Sequence, residues 1–357
     1  MRQKMLSEAL RERFGTKVYK LSLTSGCTCP NRDGTIGTGG CTFCSEGGSG
    51  EFAAPFLPID EQIRVAKQRV DSKFPAKIPV SERRYIAYYQ SFTNTWGDVD
   101  RLRQLYLETI RRPEIAVLSI GTRPDCLPAE ILQMLQELRA IKPVWVELGL
   151  QTMHERTARA VNRGYSLPVF EEACRNLHTI GVEVIVHLIL GLPGETREDM
   201  LETVRYISRL DPLPEGIKLQ QLQVLRGTEI GKLYEKLYEK LYGKPCEKPY
   251  RYPNLSEETH RDIRREEQPF PIMSLEEYCS LVRDCLAILP ESIVVHRLTG
   301  DGPKSLLIEP SWSADKKRDI TEVYQKISAQ NVSPHPLSNR HEPAENLKFP
   351  AGFILGN

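Results

Sequence analysis

The chain has 357 residues, of which 40% are hydrophobic, and its 48 basic and 47 acidic side chains leave a formal net charge of +1. This length permits a large core in one or two domains, and the balanced charge gives no global attraction to nucleic acid or anionic membranes. The first residues are charged and lack an apolar signal core, and no apolar run reaches membrane-spanning length. We therefore expect a cytoplasmic protein with no membrane partner.

The predicted elements begin with a basic helix within residues 1–16, after which strands and helices alternate. Runs of apolar and β-branched residues predict six strands, at residues 17–23, 84–90, 116–121, 144–150, 182–190 and 217–225. Helical periodicity predicts helices at residues 59–74, 99–112, 128–140, 154–161, 169–180 and 197–210. Asp98 is a predicted N-cap, and Thr196 with Asp199 predicts a capping box.

Six strand–helix units in series predict parallel strands joined by right-handed crossovers. We predict an α/β fold, a partial (β/α)6 barrel of the TIM type over residues 17–226, followed by an α/β extension. A doubly wound sheet has the same local pattern, and periodicity alone does not separate the two architectures.

The regular alternation is lost after residue 226. We interpret residues 227–275 as a charged helix followed by an irregular insertion, because a Lys-Leu-Tyr-Glu tandem precedes a charged, proline-rich stretch. A helix and a strand return within residues 276–327, and this extension is predicted to complete the side of the barrel. Residues 328–357 are predicted to be a loose tail.

Four of the nine cysteines lie in one loop directly after the first strand: Cys27, Cys29, Cys41 and Cys44. A C-x2-C pair can grip one metal centre from a tight turn, and a third thiolate can arrive from further up the chain. Seven glycines from position 34 to position 50 let the backbone curl closely around the sulfurs. The other cysteines are interpreted as small buried hydrophobes: Cys126, Cys174, Cys246, Cys279 and Cys285.

Two metal centres compete for this loop. Four cysteines can hold a structural Zn²⁺, whereas three can hold a [4Fe–4S] cluster and leave one iron open. The position of the loop favours the cluster, because chemistry in parallel β/α barrels collects at the carboxyl ends of the strands.

Five motifs, in order on successive β/α units, resemble those of stand-alone bacterial radical S-adenosylmethionine (SAM) proteins related to the catalytic subunit of Elongator. They are TCPNRDGTIGTGGCTFCSEGGSGEF (28–52), SIGTRPDCLP (119–128), VELGLQT (146–152), NRGY (162–165) and HLILGLPGET (187–196). The tail motif that begins HRLTGDGP is similar to the stand-alone proteins rather than to Elongator. The resemblance implies a radical SAM barrel with a [4Fe–4S] cluster on Cys29, Cys41 and Cys44, and SAM as the second cofactor.

The sequence also departs from that family. Cys27 stands where the family often has an apolar residue, and is either an inert neighbour or a fourth, zinc-like ligand. Tyr165 replaces the usual His. No acetyltransferase segment follows, so acetyl-CoA chemistry is not expected. We assign no role to the long stretch 243–272.

Residues at the carboxyl ends of the predicted strands, and in the cysteine loop, are further candidates for cofactor binding. Phe43 is predicted to cover the adenine, with simple packing as the alternative. Gln90, Thr93 and Asn94 follow the second strand, where the resemblance implies binding of the methionine amino group; a strand-exit turn is the alternative.

The third strand ends at Thr122, Arg123 and Asp125. The arginine can pair with the SAM carboxylate, and a structural Arg–Asp pair is the alternative. Glu147 and Gln151 are predicted to hold the ribose hydroxyls.

His187 is a further cofactor-binding candidate, although a satisfied core histidine is the alternative. On the late strand, His296, Arg297 and Asp301 are substrate-side candidates.

The expected activity is reductive cleavage of SAM to a 5′-deoxyadenosyl radical, with an electron donor such as a flavodoxin or ferredoxin. The Elongator relationship implies tRNA as substrate, at the C5 side chain of a wobble uridine. Residues 1–20 hold six Lys or Arg against two Glu, which gives this expectation modest support. The alternatives are a radical SAM enzyme that acts on a protein or small metabolite, and a non-enzymatic zinc-binding module.

Overall fold

A computed structural model of the chain describes residues 3–242 and 272–314. The predicted loose tail and nearly all of the predicted irregular insertion lie outside these ranges. Within them, no helix is long and apolar enough to cross a membrane.

Nine helices and nine strands make up the described residues. The helices are α1 (Leu6–Phe14), α2 (Ile59–Val70), α3 (Val99–Ile110), α4 (Ala129–Arg139), α5 (Glu155–Ala160), α6 (Leu167–Thr179), α7 (Arg197–Ile207), α8 (Glu229–Tyr242) and α9 (Leu275–Ile288). The strands are β1 (Val18–Leu23), β2 (Arg84–Tyr89), β3 (Ile115–Thr122), β4 (Val144–Gln151), β5 (Glu183–Leu190), β6 (Gly216–Gln221), β7 (Val224–Leu225), β8 (Val294–Arg297) and β9 (Leu307–Glu309).

Seven strands form one parallel sheet in the order β1-β2-β3-β4-β5-β6-β8, which curls into a half-barrel. Neighbours in the chain are neighbours in the sheet, so the strand order has no reversal of the kind that defines a doubly wound sheet. The predicted α/β partial barrel is therefore confirmed. The C-terminal extension contributes β8, which pairs with β6 as a seventh parallel strand.

The predicted sixth strand, residues 217–225, is divided in two. β6 ends at Gln221, and β7 leaves the barrel sheet to pair antiparallel with β9. Leu222, directly after β6, still donates its N–H to the Leu190 carbonyl at the end of β5, and the chain leaves the sheet after this bond. The small β7–β9 ribbon then lies beside the barrel mouth.

An apolar plug closes the barrel at the amino ends of its strands. Leu6 and Leu10 of α1 are buried there against inward-facing residues of five strands: Val18, Ile86, Val117, Trp145 and Ile185. Burial of each leucine contributes about 2 kcal/mol. The segment before α1 also joins the sheet edge, where Val295 of β8 donates its N–H to the Lys4 carbonyl at 2.9 Å.

Two of the basic N-terminal residues lie away from the cysteine loop. Arg13 forms an ion pair with Glu183 at the start of β5, and Lys4 pairs with Glu12. The amino ends of the strands carry these pairs, whereas the cysteine loop follows the carboxyl end of β1. These two residues therefore give no support to phosphate binding at the site.

Candidate active site

The cysteine loop is held by its own backbone and by one arginine. The Cys29 carbonyl accepts N–H groups from Arg32 and Asp33 at 2.8 and 3.0 Å, and Cys44 donates its N–H to the Cys41 carbonyl at 2.9 Å. Nη2 of Arg32 donates to the carbonyls of Cys44 and Ser45. These bonds fix the spacing of the thiols without a disulfide, since all of them are free.

Three of the four loop cysteines face one pocket. Cys29, Cys41 and Cys44 line it, whereas Cys27 is buried on the core side of the loop. The Cys27 sulfur lies 3.5 Å from Nη2 of Arg101, which also donates through Nη1 to the Ser25 carbonyl. This placement agrees with Cys27 as an inert neighbour rather than a fourth ligand.

The donor set fits an iron–sulfur cluster better than zinc. No three of the four loop sulfurs lie within 4.8 Å of one another in the described chain. A single tetrahedral zinc with Zn–S bonds of about 2.3 Å would bring them closer than that. A [4Fe–4S] cluster spreads its thiolates further apart because each binds a different iron. Burial raises the pKa of Cys41 to about 12, so this thiol is protonated until a cation binds it.

The pocket has a volume of about 240 Å³ and lies between the cysteine loop and the carboxyl ends of the strands. The structure brings most of the predicted cofactor- and substrate-binding residues to its wall: Phe43, Gln90, Thr93, Thr122, Arg123, Glu147, Gln151, His187, Arg297 and Asp301. Gln151 has a φ of 62°, so β4 ends in a bend at the pocket. Three other predicted residues lie elsewhere.

Asn94 is not part of the pocket wall, contrary to the prediction. Its side chain is fully buried and donates to the carbonyls of Tyr89 and Gly121, and it accepts from the Ser25 hydroxyl at 2.7 Å. The amide therefore ties the end of β2 to the end of β3. Every one of these partners belongs to the scaffold, so the predicted methionine contact is corrected to a structural role.

Asp125 also lies outside the pocket wall and is bound to Arg123. Nε and Nη2 of the arginine donate to the two carboxylate oxygens at 2.9 and 2.7 Å, and Nη1 donates to the Arg163 carbonyl. The structural Arg–Asp alternative is the one observed, so Asp125 is corrected from a substrate contact to a positioning residue. Arg123 still borders the pocket.

His296 lies deeper in the barrel than predicted. Its ring packs against Trp145 with centroids 5.0 Å apart, and it covers Gly216, where an added Cβ would lie 2.6 Å from Nε2. Burial lowers the pKa of His296 well below its usual range. It belongs to the plug and not to the pocket wall, which corrects its assignment as a substrate-side residue.

Arg297 and Asp301, the other late-strand candidates, border the pocket together. Their charged groups lie 3.7 Å apart.

A charged network forms the floor of the pocket around Glu147, whose side chain is fully buried. Oε1 accepts from Lys20 at 3.1 Å and from the Ser119 hydroxyl at 2.8 Å. Oε2 accepts from Nε2 of His187 at 2.8 Å and from the Lys218 ammonium.

Burial and opposite charges compete in this network, and burial lowers the pKa of Lys218 well below its usual range although Glu147 raises it. Burial alone would raise the pKa of Glu147, but Lys20, Lys218 and the hydrogen bond from His187 hold it well below the usual range. Burial and the neighbouring Lys218 lower the pKa of His187 to about 4. At neutral pH the carboxylate is therefore ionised and the imidazole is neutral.

Sequence reasoning did not single out Lys20 and Lys218. Each is the one charged residue in an otherwise uncharged strand, as Glu147 is, and that shared pattern was the signal that could have found them. It also missed the structural role of Arg163, which is buried and donates to the Leu150 and Thr152 carbonyls.

Tyr165 stands where the family resemblance led us to expect histidine. Its ring lies between the guanidinium groups of Arg123 and Arg163, at 5.0 and 4.6 Å from the ring centroid. Its hydroxyl donates to the Gly149 carbonyl, so the tyrosine is held in the pocket wall by three contacts.

Comparison with known proteins agrees with this site. Residues 29–207 match the Radical SAM superfamily, and residues 260–329 match the Radical_SAM C-terminal domain. The chain is 40% identical to the uncharacterized protein YtqA of Bacillus subtilis over 323 residues, 90% of this chain and 88% of that protein. It is 31% identical to protein YhcC of Escherichia coli K12 over 92% of this chain and 93% of YhcC.

More distant similarities concern Elongator. A tRNA uridine(34) acetyltransferase of Methanocaldococcus infernus is 33% identical over 120 residues, which are 33% of this chain and 22% of that protein. The solved structure of the archaeal M. infernus Elp3 shares the fold, with a TM-score of 0.58 at 17% identity. The similarity covers 88% of this chain and 64% of the archaeal one. Membership of the superfamily implies a [4Fe–4S] cluster and SAM, which the three pocket-facing cysteines fit. The chain belongs to the radical SAM superfamily of enzymes, as a relative of YtqA and YhcC with a distant relationship to Elongator.

Proposed function

We propose that this enzyme cleaves SAM reductively at a [4Fe–4S] cluster held by Cys29, Cys41 and Cys44, and that it modifies tRNA. One observation carries the cofactor part: these three thiols line one pocket at the carboxyl ends of the strands, whereas Cys27 does not. When bound, the cluster and SAM would supply a 5′-deoxyadenosyl radical that abstracts a substrate hydrogen.

The residues of this chain would bind and orient the cofactor. Arg123 is fixed by Asp125 and offers a positive charge at the wall for the SAM carboxylate. Phe43 is placed to cover the adenine, and Gln90, Thr93 and Gln151 offer polar groups from the strand ends. The plug behind the floor excludes water from the amino end of the barrel.

The proposed substrate is the C5 side chain of a wobble uridine in tRNA. The similarity to a tRNA uridine(34) acetyltransferase, which extends over a third of this chain, supports this substrate. The relationship to Elongator supports it as well. A flavodoxin or ferredoxin is the proposed electron donor, because reductive cleavage consumes one electron for each SAM.

The cluster assignment is tested by comparing Cys29→Ala with Cys27→Ala after anaerobic reconstitution. We expect wild type and Cys27→Ala to hold about four irons per chain and to cleave SAM with dithionite. Cys29→Ala should lose both properties. A colourless wild-type protein with one tightly bound zinc would contradict the proposal, as would equal loss in both variants.

The substrate assignment is tested by comparing the modified nucleosides of bulk tRNA from cells with and without the gene. We expect one modified uridine to change, and expect binding of tRNA to weaken steeply between about 50 and 200 mM salt. An unchanged nucleoside profile together with salt-insensitive binding would point to a protein or small-metabolite substrate instead.

A further inference from the structure

At the base of the pocket, every strand of the half-barrel contributes a polar side chain to one layer. In sheet order these are Lys20, Tyr88, Ser119, Glu147, His187, Lys218 and Arg297. Because side chains alternate along a strand, the inward residues two positions earlier on the first five strands belong to the apolar plug. The polar layer thus separates the plug from the cofactor pocket.

The carboxylate of Glu147 has no capacity left for a ligand. An ionised carboxylate offers about four acceptor positions, and here Lys20, Ser119, His187 and Lys218 supply four donors. The predicted contact between Glu147 and the ribose hydroxyls would need one of these bonds to break. Its position instead makes it the centre of the layer.

The bond to Glu147 decides the tautomer of His187. An ionised carboxylate only accepts hydrogen bonds, so Nε2 of His187 must carry the proton. In a neutral ring Nδ1 is then a pure acceptor. No described residue donates to this Nδ1, and the ring borders the pocket.

We propose that Lys20 and Lys218 are positioning residues that keep Glu147 ionised, and that Glu147 in turn fixes His187 as the neutral Nε2–H tautomer. Nδ1 of His187 then accepts a hydrogen bond from a hydroxyl or amino group of bound SAM. The contact to SAM rests on the proposed function, whereas the tautomer does not.

The groups that face His187 come from every element around it. They are Lys20, Glu147, Lys218 and His296, while Tyr88 and Arg297 border the same pocket. The Lys218 ammonium lies 3.3 Å from the Tyr88 hydroxyl and 4.5 Å from the centroid of the Tyr88 ring. Tyr88 therefore separates Lys218 from Lys20. With a pKa of about 4, His187 keeps one protonation state throughout the neutral range.

The tautomer is tested by ¹⁵N NMR of full-length, cluster-loaded protein labelled at histidine, with His187→Gln used for assignment. We expect a protonated Nε2, an unprotonated Nδ1 and no titration across the neutral range. His178, which bonds Glu215 on the outer surface, serves as the folding control. A proton on Nδ1, or titration near the usual histidine pKa of about 6.5, would overturn the proposal.

Two variants test the lysines. Lys218→Met leaves Glu147 paired with Lys20, so the tautomer should persist while the pKa of His187 rises from about 4. The double variant Glu147→Leu/Lys218→Met removes one charge of each sign together with the acceptor at position 147, and should abolish the fixed tautomer. If His187 kept the Nε2 proton in the folded double variant, Glu147 would not be the group that fixes it.

The contact to SAM is tested by equilibrium binding of SAM to cluster-loaded protein. His187→Leu should weaken binding about threefold to tenfold, the range for loss of one neutral hydrogen bond. His187→Gln, which keeps a donor and an acceptor, should lose less. His296→Gln, a buried histidine outside the pocket wall, should bind as wild type does. Unchanged affinity in His187→Leu would refute the contact and leave the tautomer result intact.

Discussion

The ammonium of Lys218 in β6 contacts the carboxylate of Glu147 in β4 inside the half-barrel, where both side chains are almost fully shielded from water. These strands are not neighbours, since β5 lies between them. The pair therefore reaches across the concave side of the curved sheet. Together with His187 of β5, it links three consecutive strands.

Glu147→Gln should destabilise the protein by about 3–5 kcal/mol, because it leaves buried lysines without their counter-charge. Urea unfolding of wild type and variant measures this difference. Glu12→Gln in the exposed pair with Lys4 is the matched control and should cost less than about 0.5 kcal/mol. Equal losses in the two variants would mean that the buried network contributes no more than a surface ion pair.

The free energy of unfolding should fall as pH is lowered from about 6.5 to about 4. In this window the unfolded histidine takes up a proton that folded His187, with its pKa of about 4, does not bind. Protonation of this one histidine in the unfolded state lowers the free energy of unfolding by about 3 kcal/mol once the pH is below both pKa values. Unfolding of His187→Leu across this range should show a shallower slope, with His296 supplying part of what remains. If the unfolding free energies of wild type and His187→Leu had the same slope against pH, the pKa of His187 would be the same in the folded and unfolded protein.

Gly48→Ala should reduce the iron retained per chain, because an added Cβ would lie 2.4 Å from the Phe92 ring that packs on the cysteine loop. Gly39→Ala is the matched control, since Gly39 also has a positive φ but has open space where its Cβ would lie. Iron content after reconstitution should therefore fall in Gly48→Ala and stay near wild type in Gly39→Ala. If both variants retained iron, the cysteine loop would be able to shift away from the Phe92 ring without losing the cluster.

Arg163→Met should cost about 3 kcal/mol of stability, since it leaves the buried Thr152 carbonyl without its guanidinium donor and removes a second donor from the Leu150 carbonyl. Thermal unfolding compares it with Arg156→Met, whose side chain is 60% exposed and pairs only at the surface. The control should stay within about 0.5 kcal/mol of wild type. A small effect at Arg163 would mean that water replaces the guanidinium.

The alternation of apolar strands with capped helices predicted parallel β/α units, and the observed strand order then separates the partial barrel from a doubly wound sheet. The predicted caps are confirmed: Asp98 accepts the Arg101 N–H, and Thr196 and Asp199 form a reciprocal box. The extension and its strand were predicted to complete the side of the barrel, but not the parallel pairing of β8 with β6, because β8 has four residues and a long intervening stretch separates the two strands.

The cysteine set followed from the family resemblance, and most of the pocket wall followed from strand exits, since parallel strands deliver their carboxyl ends to one place. Which way a side chain points at such an exit was not predictable. Asn94 turns inward to backbone carbonyls, although it is next to Thr93 in the pocket wall. The pairing of Lys218 with Glu147 depends on sheet curvature and register, which set His187 opposite Lys218.

The contact between the N-terminal segment and β8 bears on how the chain folds during synthesis. Gln3 donates to the Leu289 carbonyl across 286 positions of sequence, and Val295 donates to the Lys4 carbonyl, so the first described residues meet partners made much later. The leucines of α1 pack on the first five strands, whereas the contacts of the segment before α1 can form only after β8 has left the ribosome. Closure of this longest loop is therefore the expected slow, late step of folding.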